Sequence, residues 1–387
     1  MKDGLFMSAY LQSPDLFENH IYFHTDDDIW KVDLYEEVAH RLTSSKGASF
    51  NPKISPDGHR LAYSSLSDGQ NDVYLMPSTG GIPKRLTHFG DTSLVGWKDN
   101  KHVIITTADF SFHPAASNAY LVDVETLESK LINVGPTRYI NYGPNKEVLL
   151  CRNMGDPARW KRYRGGTVGR VWIDTAGNGN FKEILKDLPS SIASPQFIGK
   201  RIYFISDHEG HGNIYSCNFS GKNIQRHTHH EDYYVRKFSH HDGTIVYQAG
   251  AQIFLLDLQA NEVELIDIVV PVNGTHANPR FESPYKNLQD FSVSPEGNEI
   301  LALTRGNIFC MPPWSGAPTS IGNKHGLRYK RPDYVTNLKD QQEIITVVMD
   351  ENTEEEIVLF NRESGESRKL KLNFELGKTF DFEINPV

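Results

Sequence analysis

Long apolar runs, paired cysteines and helical periodicity are all missing from this sequence. No apolar stretch approaches the ~20 residues that span a bilayer. The N-terminal stretch "MKDGLFMSAYLQSPD" lacks the unbroken apolar core of a secretory signal. The chain therefore reads as soluble and cytoplasmic, with no membrane partner. Its three cysteines, Cys151, Cys217 and Cys310, are far apart and form no CxxC pair, so they read as buried thiols in a reducing compartment. No segment keeps the i, i+3, i+4, i+7 apolar spacing for three turns, which predicts almost no helix. No G-x-S-x-G elbow, HExxH or P-loop occurs, so no catalytic residue, metal or cofactor is expected within the chain. A formal net charge of -9 argues against a general nucleic-acid binder.

What is present is a repeat. "FNPKISPDGHRLAYSS" from Phe50 leads to "DVYLMPSTGGIPKRLT". "NHIYFHTDDDIWKVDLYEEVAHRLT" from Asn19 and "SPQFIGKRIYFISDHEGHGNIYSCNFSGKNIQRHT" from Ser194 follow the same order. A short strand enters a turn, an apolar strand leaves it, and a polar loop precedes a third strand. A small-residue turn and a closing strand ending in "LT" or "HT" complete the unit. In "SPDG", Pro56 presets φ, Asp57 bonds its own backbone and Gly58 accepts φ > 0. Each unit reads as four antiparallel strands with a period of ~40–45 residues, that of a propeller blade.

Units fall at residues 7–46, 47–90, 91–135, 136–190, 191–232 and 233–274. The third and fourth keep the strands but lose the full "SPDG". After a Pro- and Asn-rich join, "SPEG" at Ser294–Gly297 restarts the pattern. An eighth unit runs from Tyr329 to Gly377, and a ninth begins at "KTFDFEINPV". The fold class is all-β. A six-bladed β-propeller of four-stranded antiparallel blades (1–274) precedes about two blades of an incomplete second propeller (275–387). An unfinished sheet exposes its edges, so the chain is expected to be a piece of a longer one. The first unit supplies its own innermost strand near Ala9–Leu11 and the sixth its own outer strand, "EVELIDIVV". No strand remains for exchange at closure. The first and sixth blades are then expected to meet by side-chain packing alone, at a seam that opens more easily than the others.

The remaining polar clusters read as surface. His227, His229 and His230, with His240 and His241, invite a metal, but a strand end and solvated turn account for them. Asp26, Asp27 and Asp28 lie in a hairpin turn and lack the further oxygens that calcium needs. Asn218 and Asn273 match a glycosylation pattern that requires secretion.

"WKRYRGGT" at Trp160–Thr167, "RVWIDTAGNGNFKEI", "IYFISDHEGHGNIYS" and "QRHTHHEDYYVR" together resemble the N-terminal region of the tricorn protease family. The resemblance implies a six-bladed propeller, then a seven-bladed one, then C-terminal domains holding a serine protease core. The catalytic groups of that family belong to its C-terminal half and have no counterpart in this chain, which leaves its standing as an enzyme open. By the same resemblance the propeller filters or channels short peptides. Its implied partners are those peptides, the rest of the protease polypeptide and a homo-oligomer. A stand-alone propeller of the TolB type that binds a protein partner is the alternative.

The basic stretch "ARWKRYRGG" occupies the long hairpin connection of the fourth unit. Arg159, Trp160, Lys161, Arg162, Tyr163 and Arg164 lie in it, flanked by Arg152 and Arg170 at the strand ends. Propeller loops surround the channel mouth, and Arg offers a planar fork for carboxylates. The loop reads either as a cationic collar for peptides or as a set of inter-blade salt bridges with Trp160 as a plug. The family's basic pair for a substrate carboxylate finds no match in the loop from Asp109, which offers His113 but no Arg or Lys.

Overall fold

The computed structural model describes residues 9–114, 116–153, 156–272, 282–322, 326–336, 342–350, 354–373, 377–379 and 381–383. Half of the ninth unit, with its Asn385-Pro386, and Asn273 lie outside them. Every strand belongs to one of eight four-stranded antiparallel sheets, each built from four consecutive strands. Helix among the described residues is limited to a 3-10 turn, Pro157–Trp160, and a four-residue α-helix, Pro284–Asn287. The chain divides into two compact units, residues 1–278 with six sheets and 279–387 with two. None of the described helices is long and apolar enough to cross a membrane.

Burial explains the strand spelling. The second strand of a blade is sandwiched between neighbouring blades, so both its faces are apolar. "RLAYSS" (Arg60–Ser65), "RIYFIS" (Arg201–Ser206) and "TIVYQA" (Thr244–Ala249) are buried at every position after the first. Outer strands face water: Glu262–Ile266 is exposed along nearly its whole length. Each core side chain such as Ile21, Leu61 or Ile245 contributes roughly 1.5–3 kcal/mol by its burial.

The closing "LT" and "HT" have a specific task. Thr87 Oγ1 accepts from the Val73 N–H at 2.9 Å and donates to Asp72 Oδ1 at 2.6 Å. Thr43 does the same with Ile29 and Asp28, and Thr228 with Ile214 and Asn213. The hydroxyl thus extends the outer ladder by one rung. Around it, Arg85 Nη1 meets Asp68 at 3.0 Å while the Tyr74 hydroxyl donates to the same carboxylate at 2.8 Å. Blade 5 repeats this with Arg226, Glu209 and Tyr215. In "SPDG" the Gly58 φ is +74°, and its N–H donates to Ser55 O at 2.9 Å.

The innermost strand of blade 1 is Gln12–Phe17 rather than Ala9–Leu11. Its Ser13-Pro14 step is a β-bulge, as is Asn51-Pro52 in blade 2 and Ser194-Pro195 in blade 5. Ser13, Asn51 and Ser194 have φ of 48°, 52° and 49°. Pro brings no N–H that the interrupted ladder would have to satisfy.

The six inner strands carry Asp15, Lys53, Gly96, Asn141, Gln196 and Ser239 in one register. Each stands opposite the same position of its second strand. These side chains stitch neighbouring inner strands together. Asp15 Oδ2 accepts from the Ile54 N–H at 2.8 Å, and Asn141 Oδ1 from Phe197 N–H at 3.0 Å. Gln196 Nε2 donates to Phe238 O at 3.0 Å. Ser239 Oγ accepts from Leu16 N–H at 3.0 Å, which closes the ring.

The seam between blades 1 and 6 corrects the expectation of packing alone. No strand is exchanged, but the closing contact repeats the main-chain bond found at the other joints. Leu11 N–H donates to Ala251 O at 3.0 Å, as Ser49 donates to Asp27, Thr92 to Asn71, Thr137 to Ser117 and Val235 to Gly212. The tail of "EVELIDIVV" adds a clip: Val269 N–H donates to Glu37 O and Ala39 N–H to Val269 O, a parallel bridge. Val270 packs with Trp30, Val32 and Ala39 behind it. The outer strand of blade 6 itself ends at Ile266.

In the second unit, sheets Leu288–Ile321 and Arg328–Lys369 share a core of Leu301, Ile308, Tyr329, Ile344 and Phe360. "SPEG" turns as "SPDG" does, with Gly297 at φ 72°.

Candidate functional site: the channel of the six-bladed unit

Six inner strands that splay their free edges toward one axis leave a hollow between them. The hollow is a cavity of about 840 Å³, and every inner strand contributes to its wall. Ser13, Asn51 and Ser194, the bulged residues, line it, so the bulges aim polar side chains inward. Lys53, Arg138 and Lys237 bring positive charge from three blades.

The long connection of blade 4 reaches the same cavity. It leaves the strand Val148–Arg152, makes the 3-10 turn Pro157–Trp160 and returns in the strand Arg170–Asp174. Asp156 caps the turn, its Oδ1 accepting from Ala158 N–H at 3.0 Å. Arg152, Asn153, Asp156, Arg159 and Thr167 line the cavity.

The predicted basic residues separate into two groups. Arg152 and Arg159 face the channel. The Arg152 guanidinium lies over the Trp172 ring at 5.1 Å and donates to Val134 O at 2.9 Å. The others hold the loop. Lys161 Nζ lies 5.1 Å from the centre of the Tyr234 ring. Arg162, at φ 56°, gives its main-chain N–H to Asp207 Oδ2 at 2.5 Å. Asp207 is buried and also takes the hydroxyls of Ser190 and Tyr234. The Tyr163 hydroxyl accepts from Thr167 Oγ1 at 3.0 Å, and Arg164 is exposed. Arg170 turns away from the axis to Lys186 O and Glu183 in its own blade. Trp160 ends the 3-10 turn. The loop is therefore held against blade 5 by the main-chain bond to Asp207 and against blade 6 by the cation–π contact with Tyr234.

An ion pair from this loop does cross between blades. Arg236, at the bulge of the inner strand of blade 6, gives Nε to Asp156 Oδ2 at 3.0 Å, and its Nη2 reaches the same oxygen. Burial pushes the ammonium of its neighbour Lys237 below the ordinary lysine value, with Lys53 and Arg236 adding to the effect and Asp156 opposing it. The sequence hid this group, because Lys53, Asp156 and the Arg236–Lys237 pair come from distant repeats.

The histidine and aspartate clusters have structural roles. His227 bonds Ser216 and Asn261, and His230 bonds the Tyr247 hydroxyl at 3.0 Å and packs on Phe254. These two are pinned between blades rather than left in a solvated turn; His229 is exposed. Asp28 serves the Thr43 rung. Among the described residues no group of His, Cys, Asp or Glu is arranged to hold a metal. Burial pushes the Cys151 and Cys217 thiols up to about 12, which leaves them unreactive at neutral pH.

Comparison with known proteins gives this architecture a context. The pattern of the tricorn protease N-terminal beta propeller domain matches residues 8–262. The tricorn protease homolog of Saccharolobus solfataricus is 31% identical over 93% of this chain and 33% of its own length. The tricorn protease of Thermoplasma acidophilum is 31% identical over 79% of this chain and 29% of its own. A crystal structure of the tricorn protease superposes with a TM-score of 0.68 at 25% identity, over 95% of this chain and 36% of that one. The chain thus spans about a third of the length of these relatives.

Proposed function

From a chain that belongs to the tricorn protease family, as its N-terminal propeller portion, we propose a part in protease traffic rather than in bond cleavage. Residues 1–274 act as a six-bladed conduit that filters or channels short peptides to or from a protease site elsewhere in the polypeptide. Residues 275–387 supply the first blades of a second propeller.

One observation carries this reading: a cavity of about 840 Å³ is lined by all six inner strands and rimmed by Arg152 and Arg159. That volume lies in the ~300–1,000 Å³ range of ligand clefts. Polar side chains and free strand edges suit an extended peptide, which brings its own unpaired N–H and C=O groups. Arg152 and Arg159 serve as the collar, while Lys161, the Arg162 main chain and Tyr163 keep the loop in position. The partners of this reading are short peptides, the remaining protease polypeptide and other copies of the chain in the cytoplasm.

The test is saturable binding of fluorescent short peptides, read by polarisation. Ser93→Trp, at an exposed position of the channel wall with no positive φ, narrows the channel and abolishes binding at an unchanged melting temperature. Binding that survives this substitution places the peptide elsewhere and removes the conduit.

A further inference from the structure

The cavity carries its charge unevenly. Lys53, Arg138, Arg152, Arg159 and Lys237 line it, and among the described residues Asp156 is the one carboxylate in that lining. This excess sits inside a chain of formal net charge -9. Lys53 is already engaged, its Nζ 2.8 Å from Asp15 Oδ1.

Asp156 stands where an incoming anion would stand. It belongs to the blade 4 connection, yet its carboxylate reaches past blade 5 to the guanidinium of Arg236 on blade 6. The Arg236 and Asp156 side chains remain 42% and 21% exposed, so the pair is open to exchange with a solute. The next residue, Lys237, lines the cavity deeper in. An Arg fork with an ammonium beside it is matched by a carboxylate better than by a neutral amide.

We propose that the channel selects acidic peptides. A Glu or Asp side chain of the peptide replaces Asp156 on Arg236 and is met by Lys237, and Asp156 occupies the site between passages. This inference rests on the peptide-conduit reading above and names its substrate class.

Three peptides of equal length, acetylated and amidated at their ends, test it. They differ only in carrying Glu, Gln or Lys at the same central positions, so terminal charges play no part. On the full 387-residue chain at low salt, the Glu peptide binds tightest and the Lys peptide weakest. The gap is at least about tenfold and narrows as salt is added. Asp156→Asn preserves the cap of the 3-10 turn and raises affinity for the Glu peptide about three- to tenfold by removing the competitor. Lys237→Met lowers it by a similar factor. Each effect is read as the ratio of Glu-peptide to Gln-peptide affinity, which a general disturbance of the channel would leave unmoved. Equal binding of all three peptides overturns the selection and leaves the conduit standing. Binding of none overturns the conduit and the selection with it. An Asp156→Asn chain with unchanged Glu-peptide affinity removes the stand-in role of Asp156.

Discussion

Ser239 Oγ lies 3.0 Å from the main-chain nitrogen of Leu16, a residue 223 positions earlier in the chain. Blade 6 is thereby joined to blade 1 by the bond that Asp15 makes to Ile54 and Asn141 makes to Phe197. Ser239→Ala leaves the Leu16 N–H without its buried acceptor and lowers stability by about 1–2 kcal/mol. Urea unfolding measures the loss, and hydrogen exchange at Leu16 accelerates. Asn141→Ala at the joint of blades 4 and 5 gives a loss of the same order. A far smaller effect for Ser239 would show that the closing joint is weaker than its siblings.

Gly96 is the one member of this register without a side chain. A Cβ built there meets nothing within 4 Å, and its φ lies outside the left-handed region. Gly96→Ala therefore fits, and it raises stability by about 0.4–1 kcal/mol by restricting the unfolded chain. A lowered melting temperature would contradict the open space at this position.

Thr87 carries two buried hydrogen bonds, from Val73 N–H and to Asp72. Burial opposes the charge of Asp72, but Thr87, Arg85 and the N–H groups of Phe89 and Gly90 together keep its carboxyl below the usual range. Thr87→Val preserves the shape and deletes the hydroxyl, costing about 2–3 kcal/mol because both partners stay buried. Thr87→Ser restores most of it. Chemical denaturation of the pair separates hydrogen bonding from packing.

His24 and His240 are buried, and burial lowers both imidazoles to about 4. Asp27 faces His24, while Asp15, His241 and Lys53 face His240. The unfolded chain takes up a proton at each near pH 6.5. Between about 6.5 and 4 it therefore binds more protons than the folded chain, and stability falls as the pH drops. Each histidine contributes on the order of 2–3 kcal/mol to that fall. His240→Gln flattens the dependence of the melting temperature across this window; an unchanged slope would assign the acid sensitivity to other groups.

The repeat was legible because its turns are spelled chemically. Gly58 and Gly297 sit at positive φ after Pro-Asp and Pro-Glu, and the strands between them are apolar on both faces. The inner strand of blade 1 was harder to read, since Ser13-Pro14-Asp15 looks like another turn. It lacks the glycine, and the dipeptide is a bulge inside a strand. At the site, Arg152 and Arg159 were found because they fall within a local basic cluster. Arg138 belongs to blade 4 and Arg236 and Lys237 to blade 6, and Asp156 was hidden by its basic neighbours. Arg236 and Lys237 sit at the inner-strand bulge of blade 6 and Arg138 just before the inner strand of blade 4, positions that charge clustering along the chain does not register.

Six joints built to one rule give the pore no door. The bond from Leu11 to Ala251 matches those at the neighbouring joints, and the Val269 clip reinforces the same place. For the conduit proposed above, the ring should behave as a hoop: a bulky cargo would meet tension shared around the whole circumference, and size exclusion would follow from all six blades together.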